Sequence, residues 1–193
     1  MRRVASLCEA HHLDRDPGCV YSVRSQAEAL LDLGKVEAAA EMAERSVALH
    51  LALYGGEHPE YAIALVVRAD VELHRDAFPA ALSTLDQATA IFHARGQDQT
   101  LNMASVLRIK AAALHALKRD DEALAAITSA QAISESLAAK DQSRRFALLA
   151  LRAQVLGALH RDAEARDAAR AALALSPSGL APERKQALEA LAR

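Results

Sequence analysis

Tryptophan is missing from this 193-residue chain, and aromatic residues make up only 3% of it. A thick core built on large side chains is therefore excluded. Neither sign of charge dominates: 23 Lys and Arg stand against 25 Asp and Glu, net −2, and the signs alternate along the chain. That pattern speaks against nucleic-acid or membrane-surface binding, since both need a basic face. No apolar run approaches the roughly 18 residues that a membrane span requires. The opening, MRRVASLCEAHHLD, is basic, but its apolar stretch is too short and too broken for a signal peptide. Only two cysteines occur, Cys8 and Cys19. Without a secretion signal they predict free thiols in a reducing interior, hence a cytoplasmic protein.

What is present is alanine, in register. Offsetting the sequence against itself by 42 residues aligns Val23, Leu65, Leu107, Leu149 and Leu191 without gaps. The same offset aligns Ala27, Ala69, Ala111 and Ala153, then Ala39, Ala81, Ala123 and Ala165, and also Leu49, Ile91, Ile133 and Leu175. Small residues stay at small positions and large ones at large positions, which is the signature of a repeat array. Within a period the apolar steps are three and four, as in Leu107, Ala111, Leu114 and Leu117, so the segments are helical. Alanine is the best helix former and lets helices approach closely.

The expected helices are 20–33, 36–54, 60–74, 78–94, 99–117, 120–137, 141–159 and 162–175. Short turns at Leu33-Gly34-Lys35, His74-Arg75-Asp76, Lys118-Arg119-Asp120 and His160-Arg161-Asp162 make successive pairs antiparallel hairpins. Longer connections follow, the first being Gly55-Gly56-Glu57-His58-Pro59, where paired Gly ends one helix and Pro opens the next. The chain divides into repeats at 18–59, 60–101, 102–143 and 144–181. Residues 1–17 align with 43–59 and read as the second half of a truncated repeat, which predicts a piece of a longer protein. Residues 182–193 match only a first helix and read as a capping helix over the apolar face of the last hairpin.

These hairpins resemble tetratricopeptide repeats. That family has a small residue in the first helix, as at Ala69, Ala111 and Ala153. It has Ala near the start of the second, as at Ala81, Ala123 and Ala165, and again seven later, as at Ala88, Ala130 and Ala172. The 42-residue length and the linker Tyr54-Gly55-Gly56-Glu57-His58-Pro59-Glu60 resemble the kinesin light chain subtype. That subtype has many bacterial relatives, some joined to kinases or transcription regulators. The family's large aromatic positions are filled here by Leu30, Glu72, Leu114 and Leu156, so packing is thinner.

The resemblance implies an all-α fold, a right-handed α-α superhelix whose first helices line a concave groove. It implies a protein or peptide partner in that groove; with no cofactor or metal motif in the chain, neither a cofactor nor a metal is expected. Carried over by position, the groove would show Tyr21, Arg24, Glu28, Leu31, Ile63, Val66, Asp70, Leu73, Ser105, Arg108 and His115. The chain is expected to be a non-catalytic scaffold, a regulatory module of a longer protein. The alternatives are a sensor of a small peptide, or a homodimer formed where Val4 and Leu7 lack a covering hairpin. The carboxylate clamp of some family members is disfavoured, because its positions read Arg24, Glu28, Val67, Ser105 and Ile109.

Other signals have plainer readings. Arg68, Lys110 and Arg152 recur at one period beside the small position, with Gln26 as their equivalent. Their stems should pack against the next hairpin while their heads find helix-end carbonyls or acids, since a buried unpaired charge costs several kcal/mol. The alternative is an anion-binding stripe. His74-Arg75-Asp76 and His160-Arg161-Asp162 spell a kinase tripeptide, but Asn is missing five residues later, at Ala81 and Asp167. The spacing of Cys8, His11, His12 and Cys19 fits no zinc site.

Overall fold

The computed structural model describes residues 16–137, 141–177 and 180–193. Among them are nine helices and no strand. They fall into two compact units, Met1–Asp98 and Gln99–Arg193. The first holds α1 (Pro17–Asp32), α2 (Val36–Tyr54), α3 (Pro59–His74) and α4 (Phe78–Ala94). The second holds α5 (Leu101–Ala116), α6 (Asp120–Ser136), α7 (Gln142–Ala158), α8 (Asp162–Ala174) and α9 (Pro182–Leu191). In the first unit α1 pairs with α2 and α3 with α4, while α3 packs on both α2 and α1. In the second, α5 pairs with α6 and α7 with α8, α7 packs on α6 and α5, and α9 lies on α7 and α8.

The helices end where backbone chemistry requires. Every hairpin turn has its left-handed residue at the same place in the repeat: Gly34 (φ 69°), Asp76 (56°), Lys118 (61°) and His160 (56°). The next amide then bonds back across the turn at 2.9 Å, Lys35 to Leu30, Ala77 to Glu72, Arg119 to Leu114 and Arg161 to Leu156. This is the six-to-one bond of the Schellman motif, which satisfies the last helical carbonyls. The second helix starts directly from it, and α2, α4, α6 and α8 carry no side-chain cap.

First helices begin differently. Asp16 accepts from the Cys19 amide at 3.0 Å, Thr100 from Met103 at 3.3 Å and Asp141 from Arg144 at 3.1 Å. At α3 the acceptor is Nδ1 of His58, 3.1 Å from the Glu60 amide. Asp16 with Pro17 at the first helical position explains why α1 starts three residues before its expected boundary.

The alanine lanes are where the helices meet. Ala27, Ala69, Ala111 and Ala153 are sealed from solvent, and Ala39, Ala81, Ala123 and Ala165 are equally buried. A buried methyl contributes only about 0.8 kcal/mol, so these lanes act mainly by letting the backbones close in. The larger positions are less uniform: Leu65 is fully buried, whereas Leu107 and Leu149 are half-buried. At the C-terminal end α9 seats Leu188 on Phe146, Leu156, Ala169 and their neighbours. Gly157 leaves room there, since a Cβ at that position would lie 3.1 Å from Leu191 Cδ2.

One expectation needs correction. Cys19 is disulfide-bonded rather than a free thiol, which removes the support that the cysteines lent to a reducing compartment. Cys8, the half repeat at 1–17 (up to residue 15), and the Val4 and Leu7 surface expected to self-associate lie outside the described residues. No helix among the described residues is long and apolar enough to cross a membrane.

Candidate functional site

The spacing of positions 21, 24, 28 and 31 puts them on one face of α1, and α3 runs beside that helix. Tyr21 is 57% exposed. Arg24 was expected on the open wall, but its side chain is only 9% exposed. Its Nη1 donates to Glu60 Oε2 at 2.7 Å, and its guanidinium sits 4.8 Å from the centre of the Tyr21 ring. Arg24 thus orients the exposed tyrosine and ties α1 to the first turn of α3. Val66 is buried too, while Leu31, Ile63, Asp70 and Leu73 are half-buried along the two helices.

Glu28 is exposed. Desolvation pushes its pKa above the ordinary carboxylate value; Arg24 opposes this, and the charges of Asp32 and Asp70 add to it. Asp70 Oδ1 lies 3.6 Å from Nδ1 of His74, whose ring also hydrogen-bonds the Asp70 carbonyl at 2.7 Å. This wall therefore offers an aromatic ring, a partly desolvated acid and aliphatic side chains.

Three wall candidates belong to the second unit. Ser105 is half-buried and its hydroxyl donates to the Leu101 carbonyl at 3.0 Å. His115 is half-buried and its Nδ1 pairs with Asp120. Arg108 is half-buried as well.

Behind the α1–α3 wall is a feature that reading by position missed. The His58 ring that caps α3 stacks on Tyr54, with centroids 4.8 Å apart. Tyr54 in turn lies 5.9 Å from His50. His50 is 1% exposed and bonds the Ser46 carbonyl through Nδ1 at 2.7 Å. Burial lowers its pKa; the Ser46 carbonyl and Glu60 oppose that shift, and Arg24 adds to it. The signal was present in the repeat: His50 stands one period before Phe92, a fully buried core ring.

Two of the recurring cations, Arg68 and Arg152, are built into the stack. Arg68 Nη2 donates to Thr84 Oγ1 at 3.1 Å, with Glu72 at 3.5 Å and Glu44 at 3.9 Å. Arg152 donates to Gln131 Oε1 at 2.7 Å. The Arg68 head thus meets acids, one of the two kinds of partner expected, together with a hydroxyl of α4, and the Arg152 head meets a side-chain amide of α6. Arg68 also lines a cleft of about 310 Å³ between α2 and α3. Its other cation, Arg75, is paired with Glu37 at 3.2 Å. The kinase-like tripeptides lie at helix ends and turns, with Asp76 and His160 as the left-handed residues. Among the described residues no cluster of three or more His, Cys, Asp or Glu could hold a metal.

Residues 18–94 match the tetratricopeptide repeat family. No curated protein matches the sequence. Among solved structures, the nearly identical TPR-like repeats of a Podosopora anserina protein described as a kinesin light chain superpose with a TM-score of 0.68 at 20% identity, covering 91% of this chain and 84% of that one. A second structure, a single-residue variant of the same protein, matches with the same values. At that identity the likeness speaks for the fold. The family match over residues 18–94 agrees with the 42-residue register, and the likeness to these structures gives the chain the fold of a tetratricopeptide-repeat array.

Proposed function

We propose that the chain is a non-catalytic scaffold that holds a segment of another protein on the exposed faces of its first helices, as a regulatory module of a longer protein. The observation that carries this is the α1–α3 wall, where Tyr21 and Glu28 stand exposed above an Arg24 locked in place by Glu60. A fixed aromatic anchor beside a charge is the composition that recognition surfaces favour. Helical arrays commonly bind extended peptides or partner helices in this way. The Ser105, Arg108 and His115 face of the second unit is proposed to contribute in the same manner.

Arg24 is a poor site for a test, since reversing its charge would disturb the packing of α1 on α3. Tyr21→Ala with Glu28→Lys alters only exposed side chains. Proteins captured from a lysate of the source by the wild-type chain should be lost by this double variant, with an unchanged circular dichroism spectrum. Capture of the same proteins by both would reject the wall as the binding surface.

A further inference from the structure

We propose that the joint holding the first turn of α3 against α1 and α2 is a proton-sensitive latch, in which protonation of His50 and His58 releases that turn and frees the Tyr21–Arg24 end of the wall. The proposal concerns regulation of the wall and goes beyond the binding reading.

Glu60 is the centre of the joint. Its carboxylate holds Arg24 of α1 at 2.7 Å, and its amide donates to His58 Nδ1 at 3.1 Å. An imidazole nitrogen that accepts a hydrogen bond carries no proton, so protonation at Nδ1 sets one N–H against another and removes the cap. His58 also stacks on Tyr54, and Tyr54 lies against His50. His50, on α2, is sealed from solvent. Its Nδ1–H is used by the Ser46 carbonyl at 2.7 Å, so a second proton must go on Nε2 and place a charge in the core.

The charged groups facing His50 are Arg24 from α1, which repels an imidazolium, and Glu60 from α3, which attracts one. The next side of the joint is Glu57, whose carbonyl accepts from Arg95 Nε at 3.1 Å. Glu60 is the acid whose charge acts on His50, and it is already committed to Arg24; beside His58 in the chain, the Glu57 carboxylate lies 3.8 Å from Arg95 Nη2. Protonation therefore turns Arg24 and the imidazolium into competitors for one carboxylate. Opening the joint relieves the competition by letting the rings reach water. Arg24 then loses the partner that holds it over Tyr21. Burial lowers the His50 pKa, in keeping with a joint that is closed at neutral pH and opens on acidification.

Hydrogen–deuterium exchange on the full chain at pH 7.5 and 5.5, corrected for intrinsic rates, tests this without any partner. Amides of Glu60, Tyr61 and Ala62 should lose at least tenfold protection at pH 5.5. The amide of Ala77, bonded to Glu72 O at 2.9 Å in the hairpin turn, should keep its protection. In His58→Asn the cap oxygen remains but cannot titrate, and the loss at residues 60–62 should shrink severalfold. Asn is a preferred helix cap, so this variant should fold. Full protection of residues 60–62 in the wild type at pH 5.5 overturns the latch. So does an equal loss at Ala77, or an undiminished loss in His58→Asn. None of these outcomes bears on whether the wall binds a partner.

Discussion

Arg24 of α1 and Glu60 of α3, 36 residues apart, form a 2.7 Å ion pair in which the arginine is the buried member. Such a pair is asymmetric under mutation. Glu60→Gln leaves a buried guanidinium without its counter-charge and should cost about 2 kcal/mol, below the full buried-pair range because Glu60 is partly exposed. Combining it with Arg24→Met removes the orphaned charge and should recover much of the loss. Melting curves of the two single variants and the double variant check this. A double variant as unstable as the sum of the singles contradicts it.

The left-handed turn position predicts a second set of effects. An L-residue there is strained by roughly 1–2 kcal/mol relative to glycine, partly offset by the chain entropy that glycine loses on folding. Asp76→Gly, Lys118→Gly and His160→Gly should each stabilise the protein by about 0.5 kcal/mol. Gly34→Ala should destabilise it by about 1 kcal/mol. Urea titration at constant pH reads these directly.

Glu28 carries a pH prediction. Its folded-state pKa lies above the unfolded one, mainly through desolvation. The ionised form is therefore disfavoured by folding: the residue opposes stability above its folded pKa, and this opposition fades as pH falls through that value towards the ordinary carboxylate range. Glu28→Gln should raise the melting temperature at pH 7, and the gain should disappear on acidification. A gain that is the same at pH 4 as at pH 7 would show that its charge is not the cause.

The terminal helix α9 should be essential to the second unit. Leu188 is 1% exposed and sits in the cluster with Phe146, Leu156 and Ala169. Leu188→Ala should cost about 2–3 kcal/mol through lost burial and the cavity left behind. Binding of a hydrophobic dye should rise as the faces of α7 and α8 are uncovered. An unchanged melting temperature would mean that α9 does not cap the array.

Helix positions, hairpin pairing and the alanine contact lanes follow from the sequence alone. They depend on local propensity and on a 3.6-residue geometry that repeats every 42 residues, so register reports them without knowledge of neighbours. The caps at Asp16 and Thr100, and the left-handed residues at the hairpin turns, are equally local. Which wall residue is open to solvent is another matter. Arg24 and Arg108 occupy the same repeat position, two periods apart. The residue that pairs with Arg24 is Glu60, whose equivalent beside Arg108 is Arg144. Arg144 donates instead to the Leu101 carbonyl at 3.2 Å. Identical local sequence logic thus gives a buried guanidinium at one place and a half-buried one at the other. Side-chain burial and pairing are settled between helices, by charges dozens of residues away, and only the packed tertiary structure brings those charges together.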